Sequence, residues 1–249
     1  MENIPEVVLR CLQARPMAQT RLVCVPHAGA GASIYRKWPS YLPETVEVLA
    51  LQLPGREDRL DEQPFTRWQP MMEGVCQALD QLPPTPVALF GHSLGALIAL
   101  AAARHLATSK KRLAHLFVSG RHWPGDVAEP VADIDTLSDE ELLSLFTARY
   151  GSQGPAMDNP EIREMIMPVL RADFALLTSC RWQAATPLPC PVSVFTGNDD
   201  PGTADRDASK WQAETSSDFA HHTIEGGHLF HMDSTEKVLA YIRQDIAAG

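Results

Sequence analysis

Val87-Ala88-Leu89-Phe90-Gly91-His92-Ser93-Leu94-Gly95 runs from a short apolar stretch, through Gly-x-Ser-x-Gly, into the Ala- and Leu-rich segment Leu94–Ala107. Val87–Phe90 reads as a buried strand and the segment after Ser93 as a helix. The turn between them is too sharp for side chains at Gly91 and Gly95. It leaves Ser93 presented at the end of the strand, beside the N–H groups that open the helix. The bare pentapeptide also fits an ordinary tight turn; the strand–turn–helix setting is what marks Ser93 as a nucleophile.

Outward from this point the chain alternates β-rich runs with helical ones, the pattern of an α/β fold whose mostly parallel sheet is covered on both faces. Strands are expected at Arg21–Val25, Val46–Leu51, Val87–Phe90, Leu113–Ser119, Val192–Thr196 and Phe219–Ile224, and most are near-continuous apolar runs, as buried parallel strands should be. Helices are expected at Thr66–Leu82, Leu94–Ala107, Ala204–Thr215 and Ser234–Ile246. No strand is evident between Gly120 and Pro191. Two helical patterns stand there instead: Asp139–Tyr150, opened by a Ser138/Glu141 capping box, and Pro160–Cys180, which Pro168 should kink or divide. The chain thus reads as one domain over 1–249, with a helical lid insertion at approximately 121–185.

Composition narrows the function. The 249 residues are 45% hydrophobic, and 31 acidic against 21 basic side chains give a net charge of −10. That apolar content argues against disorder, and the acidic excess argues against nucleic acid and anionic membrane surfaces. Met1-Glu2-Asn3-Ile4-Pro5-Glu6 lacks the basic-then-apolar order of a signal peptide. The longest apolar stretch, Leu94–Ala103, is short of the ~20 residues a bilayer crossing needs. Cys11, Cys24, Cys76, Cys180 and Cys190 are odd in number and scattered, so reduced thiols of a cytoplasmic protein are expected rather than a disulfide frame or zinc site.

A serine needs a base to become nucleophilic, and the base needs an orienting acid. Behind such an elbow the acid comes first along the chain and the histidine second. Val192–Thr196 leads into Gly197-Asn198-Asp199-Asp200-Pro201, and Phe219–Ile224 leads into Glu225-Gly226-Gly227-His228. Asp200, directly before proline, is favoured over Asp199. His228 is favoured over its rival His231. The oxyanion should be held by backbone N–H groups: Leu94, after the nucleophile, and Ala28 in the loop Pro26-His27-Ala28-Gly29-Ala30-Gly31-Ala32-Ser33. That loop lacks the Gly-Lys-Ser/Thr of a P-loop and the third glycine of the dinucleotide fingerprint.

Pro26-His27-Ala28-Gly29, Leu53-Pro54-Gly55-Arg56-Glu57, Gly91-His92-Ser93-Leu94-Gly95, Arg171-Ala172-Asp173-Phe174, Gly197-x-x-Asp200-Pro201 and Gly226-Gly227-His228-x-Phe230 stand in this order along the chain. Together they resemble a type II thioesterase, a stand-alone member of the α/β-hydrolase superfamily that accompanies non-ribosomal peptide and polyketide synthetases. Leu229 and His231 depart from it, where the family often has aromatics. The resemblance implies hydrolysis of acyl thioesters on the phosphopantetheine arm of carrier domains, with Ser93, His228 and Asp200 as the triad and Ala28 and Leu94 as oxyanion donors. It implies no metal or organic cofactor, an acyl or peptidyl carrier domain as partner, and a monomer by default. General esterases on oxygen esters and inactive hydrolase-fold binding modules share the elbow and are the alternatives.

Arg171 and Asp173 are two apart and so should not face each other on a helix; they read as organising the lid. Pro54-Gly55-Arg56-Glu57 reads equally as a solvated turn or as a wall of the site entrance. Residues 1–120 hold 12 basic and 10 acidic side chains, whereas 121–185 and 186–249 each carry a net −6. Because carrier domains of this kind are commonly acidic, docking is expected near Arg36, Lys37, Arg56 and Arg59.

Overall fold

The structure, a computed structural model, describes residues 6–109, 111–126, 136–150, 159–204 and 206–248. Met1–Pro5 of the signal-peptide reading, and stretches 127–135 and 151–158 of the expected lid, lie outside the described residues.

Seven strands form one sheet: β1 (Val8–Cys11), β2 (Thr20–Val25), β3 (Val46–Gln52), β4 (Val87–His92), β5 (Leu113–Ser119), β6 (Val192–Gly197) and β7 (Phe219–Ile224). Their order is β1-β3-β2-β4-β5-β6-β7. The neighbours run parallel except β1, which pairs antiparallel with β3 at the edge. The chain leaves β2 toward β3 and returns on its other side as β4. Loops after β2 and β4 therefore part from each other, the place where open α/β sheets leave a crevice at the carboxyl ends of their strands.

Every residue of β3 and β4 is buried, which is why both read as near-continuous apolar runs. Alternate side chains feed two cores. Val23, Leu49, Leu89, Leu116 and Val194 pack on one face, toward α1 (Trp68–Asp80) and α2 (Leu94–Thr108). Leu22, Val48, Ala88, Phe117 and Phe195 pack on the other, against Val238, Leu239 and Ile242 of the C-terminal helix Thr235–Ala248. Each such Val, Leu, Ile or Phe side chain, fully buried, contributes about 1.5–3 kcal/mol.

Between β5 and β6 lie α3 (Asp139–Tyr150) and α4 (Pro160–Ser179). Ser138 and Glu141 form the reciprocal capping box at the start of α3. The expected division at Pro168 does not occur: α4 runs through it as one helix. Pro168 and Glu164, whose carbonyl loses its N–H partner there, both lie on the solvent face, so water can satisfy the freed group. The expected helix Ala204–Thr215 is only a short 3₁₀ helix, Ala208–Glu214, around a buried Trp211. β1, not anticipated, is a half-exposed edge strand with little of the burial signal that marks the others. Among the described residues no helix is long and apolar enough to cross a membrane.

Candidate active site

Ser93 stands between β4 and α2 with φ +57° and ψ −112°, a conformation that non-glycine residues rarely adopt. It is held there by its N–H, which donates to the Ser119 carbonyl of β5 at 2.8 Å, and by its carbonyl, which receives the Ala96 N–H at 3.1 Å. The flanking glycines are required by contact. A Cβ on Gly91 would lie 2.1 Å from the Gly95 carbonyl oxygen, and one on Gly95 would lie 2.2 Å from that of Val25. The elbow thus presses against the end of β2, bringing Ser93 beside the loop that β2 feeds.

Asp200 and His228 sit at the ends of adjacent strands. The Asp200 carboxylate is wholly buried and receives the Gly202 N–H at 2.9 Å and the Thr203 hydroxyl at 2.9 Å. Its two oxygens stand 3.0 and 3.1 Å from Nδ1 of His228, which is also buried. Asp199, one residue earlier, is exposed. The two loops are laced together: the Asn198 side-chain oxygen receives the Gly226 N–H at 2.8 Å, and the Gly226 carbonyl receives the Asp199 N–H at 3.1 Å. A histidine oriented through Nδ1 by a buried carboxylate keeps Nε2 as the atom that can exchange a proton.

The loop after β2 carries Ala28. Several of the loop's N–H groups are taken up: Gly29 donates to Asp173 at 2.8 Å, Ala30 to the His27 carbonyl at 3.1 Å, Ala32 to Gln52 at 2.7 Å and Ser33 to Glu57 at 3.1 Å. The Ala28 N–H takes no part in this web. Leu94 is the first residue of α2, where helical N–H groups have no partner within the helix.

A model of the thioesterase domain family matches residues 20–246. The chain belongs to the thioesterase family. This thioesterase is 34% identical over 226 residues to the gramicidin S biosynthesis protein GrsT of Aneurinibacillus migulanus, an alignment spanning 90% of this chain and 88% of that one. Among solved structures it resembles the type II thioesterase BorB from the borrelidin biosynthetic cluster, with a TM-score of 0.86 and 31% identity over 96% of this chain and 97% of that one. It also resembles RedJ, a thioesterase of the prodiginine pathway in Streptomyces coelicolor, at a TM-score of 0.84 and 32% identity over 93% and 92% of the two chains. The fold is that of the α/β-hydrolases.

Four histidines of this thioesterase gather behind the elbow. His92 of β4 stacks on His231 with centroids 3.8 Å apart, and lies 5.0 Å from the ring of His228 and 5.9 Å from that of His27. Burial, reinforced by neighbouring imidazoles, pushes His92 and His231 well below the ordinary histidine range. Burial, then His228 and Arg56, brings His27 down to about 3. His231 is therefore packed as a neutral ring, without the carboxylate partner that His228 has.

The family motifs around Arg56 and Asp173 meet in space, which residue spacing alone did not reveal. Arg171 is half-buried and reaches Asp139 on α3 at 2.6 Å, as its offset from Asp173 requires. Asp173 points inward and is wholly buried, paired through both oxygens with Arg56 at 2.8 and 2.9 Å. This corrects the docking expectation for two of its four residues. Arg56 and Arg59 are buried at 4% and 8% exposure, engaged by Asp173 and Glu62 respectively. Arg36 and Lys37 are exposed, along a groove of about 460 Å³ lined also by Trp38, Tyr41, Met232 and Asp233.

Proposed function

We propose that this protein hydrolyses acyl thioesters carried on the phosphopantetheine arm of carrier domains, and so clears misprimed or stalled modules of a non-ribosomal peptide or polyketide synthetase. Family membership supports thioester hydrolysis; the relatives named for gramicidin S, borrelidin and prodiginine biosynthesis support the synthetase setting. The observation that carries the chemistry is the buried Asp200–His228 pair at the ends of β6 and β7, on the side of the sheet where β4 presents Ser93.

In this reading Ser93 Oγ attacks the thioester carbonyl carbon while His228 Nε2 accepts its proton and Asp200 keeps Nδ1 protonated and the ring aligned. The Leu94 and Ala28 N–H groups hold the tetrahedral oxyanion. Collapse breaks the C–S bond, and the imidazolium protonates the departing pantetheine thiolate. Water, deprotonated by His228, then attacks the seryl ester, and collapse returns the proton to Ser93 and releases the carboxylic acid. The nucleophile is protein-borne, so the reaction calls for no cofactor. The segment 121–185 acts as a lid over the acyl chain, the single domain works as a cytoplasmic monomer, and the carrier docks at the groove beside Arg36 and Lys37.

The experiment is a rate comparison between acyl-phosphopantetheinyl carriers and p-nitrophenyl esters of the same acyl chain. Preference for the carriers is the expected result. Far faster hydrolysis of the oxygen esters indicates a general esterase, and an intact protein that never reacts with a fluorophosphonate at Ser93 indicates a binding module.

A further inference from the structure

Asp173 has the environment of a residue that acts on the loop after β2 rather than one that merely fills the lid. It is wholly buried and meets three N–H donors: Gly29 at 2.8 Å and the two terminal nitrogens of Arg56 at 2.9 and 2.8 Å. Arg56 in turn donates to the Ala30 carbonyl at 3.0 Å. The loop is gripped further along by Gln52, whose oxygen receives the Ala32 N–H and whose amide donates to the Arg56 carbonyl at 3.0 Å. Glu57, itself at φ +53°, reaches Ser33. Gly29 sits at φ +79°, and a Cβ there would lie 3.5 Å from Leu170 and 3.7 Å from Ile166, both on α4. One helix thus supplies the carboxylate and the apolar wall against this turn.

A buried ion pair is seldom more stabilising than an apolar pair of the same volume, so its presence argues for a geometric role. The Gly29 N–H that Asp173 holds is one peptide unit from the Ala28 N–H. We propose that Asp173 is a positioning residue: by fixing the Gly29 peptide and the Arg56 fork together, it sets the direction of the Ala28 N–H toward the developing oxyanion and ties that direction to the seating of α4. The proposal rests on Ala28 being the second oxyanion donor. Preorganised donors act only if aimed at where charge develops, so a small rotation of this turn acts on the transition state and leaves ground-state binding alone.

The test variant is Asp173→Asn, which keeps the volume but offers one oxygen to donors that now engage two. It is measured with the wild type for thermal unfolding, for kcat and KM on an acyl-pantetheine thioester, and for inhibition by an alkyl boronic acid that forms a tetrahedral adduct on Ser93. Sites are counted by fluorophosphonate titration. The expected result is a kcat lowered about ten- to hundredfold, less than the roughly 10²–10³ of an outright lost donor, with KM within about twofold and boronate affinity weakened in step with kcat. Unchanged kcat and boronate affinity per titrated site, alongside a lowered Tm, would overturn the proposal and leave the pair structural. If Asp173→Asn does not fold, the double variant Arg56→Met/Asp173→Leu removes both charges together and carries the same two outcomes. A wild type that hydrolyses no thioester and is not labelled at Ser93 refutes the catalytic reading itself, an outcome distinct from either.

Discussion

His92 and His231 lie face to face, planes 21° apart and centroids 3.8 Å apart, with both ring nitrogens of His231 buried and unpartnered among the described residues. Two neutral imidazoles packed this way cannot both be charged. With His27 brought down to about 3 against an ordinary value of 6.5, the folded state resists protonation that the unfolded chain accepts. Below the unfolded value the unfolded chain binds more protons, so stability is intact above pH 6.5 and is lost as pH falls from 6.5 toward about 3. Each such histidine contributes a slope of up to about 1.4 kcal/mol per pH unit in that window. Thermal unfolding across pH 4 to 8 checks this: Tm should fall steeply only on the acid side.

Replacing His231 by Phe separates the two histidines near the end of β7. The ring face is kept and two unsatisfied buried nitrogens are removed, so Tm should rise by the equivalent of about 1 kcal/mol at neutral pH and by more in acid. Turnover should stay within about twofold, whereas His228→Ala should abolish it. Loss of turnover in His231→Phe would show that the wrong histidine had been made the base.

The neighbouring acids make a similar pair. Asp200→Asn reverses the hydrogen-bond preference at His228 Nδ1 and should lower kcat by on the order of 10⁴, by analogy with the protease triad. Asp199→Asn, at an exposed side chain, should change kcat less than twofold. Steady-state rates for both variants, normalised to fluorophosphonate-reactive sites, decide between them.

Carrier docking is tested by charge. Reversal at Arg36 and Lys37 should raise KM for an acyl-carrier substrate and leave KM for a small acyl-pantetheine unchanged. The rise should shrink as salt is added, because exposed charges are screened over about 8–10 Å. An equal effect on both substrates contradicts a docking role.

Much of this molecule was legible before its structure. Ser93 and Asp200 each follow a strand that is mostly apolar because it is mostly buried, His228 follows a half-exposed strand, and two glycines announce the elbow. The Arg56–Asp173 contact was not legible. Its residues are 117 apart, and a buried charge reads in sequence like a solvated one until its partner is known. For the same reason Arg56 and Arg59 looked available for docking. The edge strand β1 escaped notice because it carries no long periodic apolar pattern, and the helix expected at Ala204–Thr215 proved a shorter 3₁₀ helix, Ala208–Glu214.

Intact-mass spectrometry of an acyl-loaded carrier domain incubated with this protein addresses the central claim most directly. The expected result is loss of the acyl mass from the phosphopantetheine arm, leaving a free thiol, with no loss when Ser93→Ala replaces the wild type at equal thermal stability. The contradicting result is a carrier that keeps its acyl group over many equivalents of folded, fluorophosphonate-reactive wild type, or one deacylated equally fast by Ser93→Ala.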